Sequence, residues 1–300
     1  MSLPRALLVS LRPHQWTKNL FVLAALAFSK HLFDGDAAIR ATSAFAVFCG
    51  LSGAVYLVND LADLEHDRLH PRKRGRPIAS GALGVPAARA AAASLFALGL
   101  VAAWALGPGF LLCASAYLAL NLAYSFGLKD VVILDVLAIA IGFVLRAVAG
   151  AVAIQVAFSD WLLVCTILLA LFLALAKRRH ELVTLPDAVS HRAILAEYSP
   201  YLLDQMIAVV TASCLTAYAF YTLAPETVAK YRTDRLAYTI PFVIYGIFRY
   251  LYLVHRKEQG GSPGDALLTD RPLLVTVALW AAAVVLIVYT APGVPVPRGR

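Results

Sequence analysis

Charge is scarce in this sequence. Only 15% of its residues are Asp, Glu, Lys or Arg, whereas 61% are hydrophobic, and the mean hydropathy is +0.75. A soluble domain is about one quarter charged and close to half apolar. A soluble fold built from these 300 residues could not hide so much apolar surface, so lipid must cover it. Cysteine is scarce as well. Cys49, Cys113, Cys165 and Cys214 are scattered through apolar runs without metal-ligand spacing and read as free thiols. Strand-length segments of alternating polarity are missing, which excludes a transmembrane β-barrel. Short-period repeats are missing too, and low complexity is confined to the Pro/Gly-rich stretch after Tyr289. No stretch reads as a soluble domain, so the net charge of +8 does not imply a nucleic-acid partner.

Long apolar runs are abundant. They cover 17–33, 41–62, 87–106, 109–126, 131–152, 161–177, 205–223, 238–254 and 272–290. A membrane-crossing helix needs ~20 apolar residues, with ~17 as the low end, so the first and sixth runs are the shortest candidates. The expected fold is all-α: a polytopic membrane bundle of about nine transmembrane helices in a single domain over 1–300. Gly107-Pro108-Gly109 predicts a tight hairpin between spans three and four. Residues 1–16 read as an amphipathic lead-in on the membrane surface without a cleavable signal, and 291–300 as a flexible tail.

Orientation follows from the basic residues. One set of loops carries seventeen: Arg5, Arg12, Lys18, Arg68, Arg72, Lys73, Arg74, Arg76, Arg89, Lys129, Lys177, Arg178, Arg179, Arg192, Arg256, Lys257 and Arg271. The other carries seven: Lys30, Arg40, Lys230, Arg232, Arg235, Arg298 and Arg300. The positive-inside rule places the first set, and with it the N-terminus, in the cytoplasm, and the C-terminus outside. Arg146 and Arg249 fall within spans. A buried Arg146 needs a partner, such as Asn121 or a carbonyl, and Asn121 itself reads as an interhelical hydrogen bond.

The segment 59–81 is the most polar feature near a span end. If span two continues as a helix past residue 62, Asn59, Asp63 and Asp67 share one face at i, i+4 and i+8, with Asp60 at its edge. Carboxylates at that spacing repel one another unless a cation sits among them. Hard oxygen ligands without Cys or paired His point to Mg²⁺, which keeps waters and bridges carboxylates to substrate phosphates. The basic run that includes Arg74 and Arg76 follows at once and is placed to meet phosphate charge.

The pattern N-D-x-x-D-x-x-x-D over 59–67, followed by R-x-R-P over 74–77, resembles the first aspartate-rich motif of the UbiA superfamily of intramembrane prenyltransferases. The resemblance extends over nearly the whole chain in span number, motif position and topology. It implies that Asn59, Asp63 and Asp67 hold Mg²⁺ on a diphosphate, with Asp60 beside them and Mn²⁺ as a substitute metal. Typical members carry a second motif of the form D-x-x-x-D at the end of span six. Here that place reads Lys177-Arg178-Arg179-His180-Glu181-Leu182, with one acid and three cations. This element resembles the branch that transfers phosphoribose to polyprenyl phosphate, the decaprenyl-phosphate phosphoribosyltransferases. Arg12-Pro13-His14-Gln15-Trp16-Thr17-Lys18-Asn19 and the stretch from Tyr124 through Lys129 and Asp130 to Asp135 resemble that branch too.

The resemblance implies a phosphoribosyl pyrophosphate donor, a polyprenyl monophosphate acceptor and a lipid-linked pentose product on the way to cell-wall arabinan. The expected place is the plasma membrane, with the site at its cytoplasmic face and a homo-oligomer as one possible assembly. The acceptor phosphate is ionised at neutral pH, so no strong base is needed. Asp63 and Asp67 would act with the metal as the diphosphate departs, and Asp135, one turn inside span five, is a further candidate catalytic carboxylate. Lys18, Tyr124, Lys129, Lys177 and Arg178, with Glu181 beside them, are the candidates for holding the remaining phosphates. Asp130 reads equally as a cap or a partner of Lys129, and Asp270 as the cap of the last span. Two alternatives stand. Prenyl transfer to an aromatic or glycerol-phosphate acceptor is disfavoured by the missing second acidic motif. A transporter would carry charges at mid-membrane and an inverted repeat.

Overall fold

The computed structural model describes residues 1–70, 73–157, 159–184, 193–257, 260–261 and 263–290, and among them every regular element is helical. The expected tail 291–300 lies outside the described residues. The α-helices are α1 (Leu3–Ser10), α2 (Ala24–Phe28), α3 (Gly35–Ala62), α4 (Leu64–Leu69), α5 (Val85–Leu106), α6 (Pro108–Phe126), α7 (Leu134–Ala153) and α8 (Asp160–Thr184). They continue with α9 (Pro200–Leu223), α10 (Pro225–Tyr231), α11 (Ile240–Arg256), α12 (Pro263–Thr269) and α13 (Arg271–Thr290). Among the described residues, eight helical segments are long and apolar enough to cross a membrane, and they match the second to ninth runs of the sequence.

The first run is the exception. The expected span 17–33 is not one α-helix: a 3₁₀ helix over Pro13–Leu23 leads into the short α2. Pro13 opens it, and the polar side chains of His14, Gln15, Thr17, Lys18 and Asn19 offer little to an apolar α-helical face. A 3₁₀ helix rises ~2.0 Å per residue against 1.5 Å for an α-helix, so the pair still extends about 30 Å.

Local chemistry explains several boundaries. Helix α3 begins earlier than its apolar run because the Asp34 side chain accepts hydrogen bonds from the Asp36 and Ala37 amides at 3.0 and 3.2 Å. Gly107, at φ +124, makes the hairpin between α5 and α6 in a conformation that side chains disfavour, and Pro108 starts α6. Ser199 caps α9 through the Leu202 amide. Asp270 accepts from the Leu273 amide at 2.9 Å, so it does cap α13, and a two-point ion pair with Arg249 holds its carboxyl below the usual carboxylate range. Helix α8 runs on to Thr184, which places Lys177 and Glu181 on a continuous helix.

Contacts sort the chain into two compact units, 1–128 with 145–157 and 129–144 with 158–300. The first has an aromatic core in which Phe48 meets Phe110 edge-on and packs on Tyr117, with ring centroids 5.8 and 5.1 Å apart. A Cβ at Gly150 would collide with the Val22 carbonyl, so this glycine lets the 3₁₀ segment lie directly on α7. Arg40 donates from Nε to the Ala153 carbonyl and from Nη2 to the Leu106 carbonyl, at 2.6 and 3.1 Å, capping two helix C-termini with one guanidinium. Arg146 bonds Asn19 Oδ1 at 2.8 Å and the Tyr117 hydroxyl at 2.7 Å. Asn121 bonds back to the Tyr117 carbonyl of its own helix rather than across helices. In the second unit α8 packs along α9, around a core containing Phe172, Leu175, Leu203, Ile207 and Tyr250.

Candidate active site

The acidic segment of the first unit is kinked. Helix α3 stops at Ala62, Asp63 takes φ −89 and ψ 9, and α4 begins at Leu64. The α-helix is therefore interrupted at a single residue. The i to i+4 bonds nevertheless persist through the kink: the Asp63 amide donates to Asn59 at 2.9 Å and the Asp67 amide to Asp63 at 2.8 Å. Asp60, expected at the edge of the rail, stands with Asp67 at the centre of the cluster. Asp60 and Asp67 are both buried, and Arg76 Nη1 spans them, 3.0 Å from Asp60 Oδ1 and 2.6 Å from Asp67 Oδ2.

Two further cations complete this cluster. Arg12 pairs with the same Asp60 oxygen, and Lys73 Nζ lies 3.7 Å from Asp67 Oδ1. Arg12 holds a left-handed φ of +52, and its guanidinium rests 4.7 Å over the Tyr56 ring. Two buried carboxylates thus contact three cations. That balance suits an incoming polyanion, because the guanidiniums can serve phosphate oxygens as well as carboxylates. Ser125 Oγ stands 2.6 Å from Asn59 Oδ1 and orients that amide. Arg74 is exposed, with its amide on the His70 carbonyl, so in the R-x-R-P turn Arg76 is the residue that faces the acids.

The donor set fits Mg²⁺. Asn59, Asp60, Asp63 and Asp67 offer oxygen atoms alone, and Asp67 Oδ1 is buried without a hydrogen bond. Among the described residues no three acids, cysteines or histidines form a protein-only metal cage. Mg²⁺ does not require one, since it is held by one or two carboxylates together with substrate phosphates and water.

The second unit holds the basic element. Arg178 Nε donates to Asp135 Oδ2 at 2.7 Å, and Arg178 Nη1 donates to Glu181 Oε2 at 2.7 Å. Arg178 is 1% exposed and Asp135 0%. Lys177 lies on the Glu181 side, with Nζ 3.7 Å from Oε1, and its side chain is 42% exposed. The basic element therefore divides into a buried guanidinium held by two carboxylates and an accessible ammonium. Tyr198 donates its hydroxyl to Asp135 Oδ1 at 2.7 Å and accepts the Ile133 amide at 2.8 Å. Arg179 points elsewhere and pairs with Asp204, which also meets His255 Nε2 at 3.2 Å.

The remaining sequence candidates are half-buried. Lys18 lies in the 3₁₀ helix Pro13–Leu23, Tyr124 on the last turn of α6, and Lys129 in the 3₁₀ turn Leu128–Asp130, with Asp130 exposed. The roles of Arg12, Lys73, Ser125 and Tyr198 are not evident from the motifs themselves. Arg12 stands in a recognisable segment and Lys73 in the basic run. Ser125 and Tyr198 are 66 and 63 residues from the groups they touch, and no spacing rule reaches that far.

Comparison with known proteins bears on the family and the fold. The family model described as UbiA prenyltransferase family matches residues 19–263. The decaprenyl-phosphate phosphoribosyltransferase of Corynebacterium glutamicum is 34% identical over 300 residues, covering 97% of this chain and 89% of its own. The protein of the same name from Mycolicibacterium smegmatis is 33% identical, covering 96% and 94%. A solved UbiA homologue from Archaeoglobus fulgidus, bound to GPP and Mg²⁺, matches with a TM-score of 0.71 at 18% identity, over 94% of this chain and 99% of that one, and so shares the fold. By the family match over most of its length, this chain is a member of the UbiA prenyltransferase family.

Proposed function

We propose that this protein transfers 5-phosphoribose from phosphoribosyl pyrophosphate to a polyprenyl phosphate such as decaprenyl phosphate, releasing diphosphate. The observation that carries this reading is the basic element on α8. Lys177 and Arg178 stand where a prenyl-diphosphate enzyme would need a second set of acids, and Arg178 is locked between Asp135 and Glu181. A second metal-binding rail cannot form there. An exposed ammonium suits a further phosphate, which a phosphoribosyl donor has and a prenyl diphosphate lacks. The names of relatives one third identical over nearly the whole chain support the same reading.

Asn59, Asp60, Asp63 and Asp67 would hold Mg²⁺, with Mn²⁺ as a substitute, and the metal would neutralise charge on the departing diphosphate. The other groups act through their own charge. Arg76, Arg12 and Lys73 exchange carboxylate for diphosphate oxygens as the donor enters. Lys177 takes a donor phosphate, and Lys18, Lys129 and the Tyr124 hydroxyl supply further donors for phosphate oxygens. The acceptor phosphate oxygen attacks ribose C1 as the bond from C1 to the diphosphate oxygen breaks. No proton has to leave the nucleophile, so a general base is unnecessary. The expected setting is the plasma membrane, with the site on the cytoplasmic face where a soluble phosphorylated sugar is available. The product would serve as a lipid-linked pentose precursor for arabinan. Assembly as a homo-oligomer is compatible with this chemistry.

The test uses purified protein in detergent or membranes with Mg²⁺, decaprenyl phosphate and phosphoribosyl pyrophosphate labelled in the ribose. Label should move into the lipid phase. Transfer from labelled geranyl diphosphate to an aromatic or glycerol-phosphate acceptor, with none from the ribosyl donor, would replace this reading with prenyl transfer.

A further inference from the structure

Tyr198 belongs to no span and to neither motif, yet its hydroxyl reaches a carboxylate that is completely buried. The direction of its proton is fixed. The Ile133 amide can only donate, so it bonds to the phenol oxygen, and the single phenol proton goes to Asp135 Oδ1. Burial, with the Asp135 bond adding to it and the Ile133 amide opposing it, pushes the phenol up to about 12. The hydroxyl therefore stays a donor throughout the neutral range.

Both ends of this bridge are under constraint. Ile133 is a β-branched residue at φ +69, a backbone conformation that such residues avoid, and the Tyr198 hydroxyl is the acceptor for its amide. Asp135 Oδ2 is held by Arg178 Nε, Arg178 Nη1 by Glu181 Oε2, and Lys177 stands against the other Glu181 oxygen. One unbroken series of contacts runs from Ile133 through Tyr198, Asp135, Arg178 and Glu181 to the exposed ammonium of Lys177. Without the phenol, Asp135 Oδ1 loses the donor that Tyr198 supplies, and the hold on its carboxylate weakens. Arg178 and Glu181 then lose the fixed reference that sets where Lys177 stands.

We infer that Tyr198 is a positioning residue: acting through Asp135, Arg178 and Glu181, it sets Lys177 to receive a phosphate of the sugar donor. This rests on the phosphoribosyl-transfer reading. Tyr198→Phe in the full chain removes one hydroxyl and keeps the ring. The apparent KM for phosphoribosyl pyrophosphate should rise about fivefold, the scale of one hydrogen bond. The KM for polyprenyl phosphate should stay within twofold. In a Lys177→Ala background the same change should add almost nothing to the donor KM, because both act through one ammonium. A purely structural tyrosine would instead lower the melting temperature and leave the ratio of the two KM values alone. Should Tyr198→Phe fold poorly, Tyr198→Phe with Ile133→Gly relieves the left-handed backbone without restoring the bond to Asp135. That double variant should keep the raised donor KM. A wild-type donor KM in the folded single or double variant, or full additivity with Lys177→Ala, overturns the inference. Wild-type protein that moves no ribosyl label at all overturns the underlying function instead, so the two failures are distinct.

Discussion

Arg178 and Asp135 form an ion pair, Nε to Oδ2 at 2.7 Å, that solvent does not reach. From sequence alone Lys177 and Arg178 look like equivalent phosphate ligands, and the burial separates them. Removing one partner of a buried pair strands the other charge and costs about 3–5 kcal/mol, whereas removing both is far milder. Arg178→Ala should therefore sharply reduce the yield and melting temperature of monodisperse protein. Arg178→Gln combined with Asp135→Asn should recover much of both. Size-exclusion profiles and thermal melts in detergent decide it, and a stable, monodisperse Arg178→Ala protein would show that the pair is not structurally required.

Lys177→Ala should leave folding intact, since its side chain is 42% exposed and its Glu181 contact is loose at 3.7 Å. The donor KM should rise roughly tenfold, as expected for a charge-assisted contact of ~1.5–3 kcal/mol. The acceptor KM should change little. An unchanged donor KM in well-expressed protein would leave Lys177 as a membrane anchor only.

Metal removal addresses the acidic segment. EDTA should abolish transfer, and added Mg²⁺ or Mn²⁺ should restore it. Asp67→Ala should lower turnover by ~10²-fold or more, the scale of losing a main stabiliser of transition-state charge. The sequence places Asp60 at the edge of the rail and so predicts a milder effect. The structure gives it the same Arg76 contact as Asp67, and Asp60→Asn should be nearly as damaging. Full activity in Asp67→Ala would remove the metal assignment.

Arg40 offers a test away from the chemistry. It caps the carbonyl ends of two helices, at Ala153 and Leu106, and each charged hydrogen bond contributes ~1.5–3 kcal/mol. Arg40→Ala should lower the melting temperature by several degrees and leave both KM values unchanged. A shift in KM without a loss of stability would contradict a capping role.

Orientation is open to labelling in a background without the four native cysteines. The loop bias of seventeen basic residues against seven predicts that a cysteine at 73 is shielded from impermeant thiol reagents in intact cells, and that one at 232 reacts. Labelling at 73 from outside would reverse the topology and move the candidate site to the other face.

The sequence by itself determined the helical membrane class, the positions of eight spans, and the two segments where polar chemistry concentrates. Those features depend on run length and composition, which are local along the chain, and lipid leaves apolar helices few alternatives. The hairpin at Gly107 and the cap at Asp270 were legible for the same reason. Tertiary structure decided the rest. Gly150 admitted the Val22 carbonyl directly against α7. Arg76 folded back to bridge Asp60 and Asp67. Arg178 turned to Asp135 while its neighbour Lys177 stayed exposed. In each case the choice depends on which group from a distant part of the chain arrives to satisfy a buried charge or fill a gap in the packing. Helical periodicity and local charge carry no information about that arrival, because burial makes it decisive only after the helices have packed.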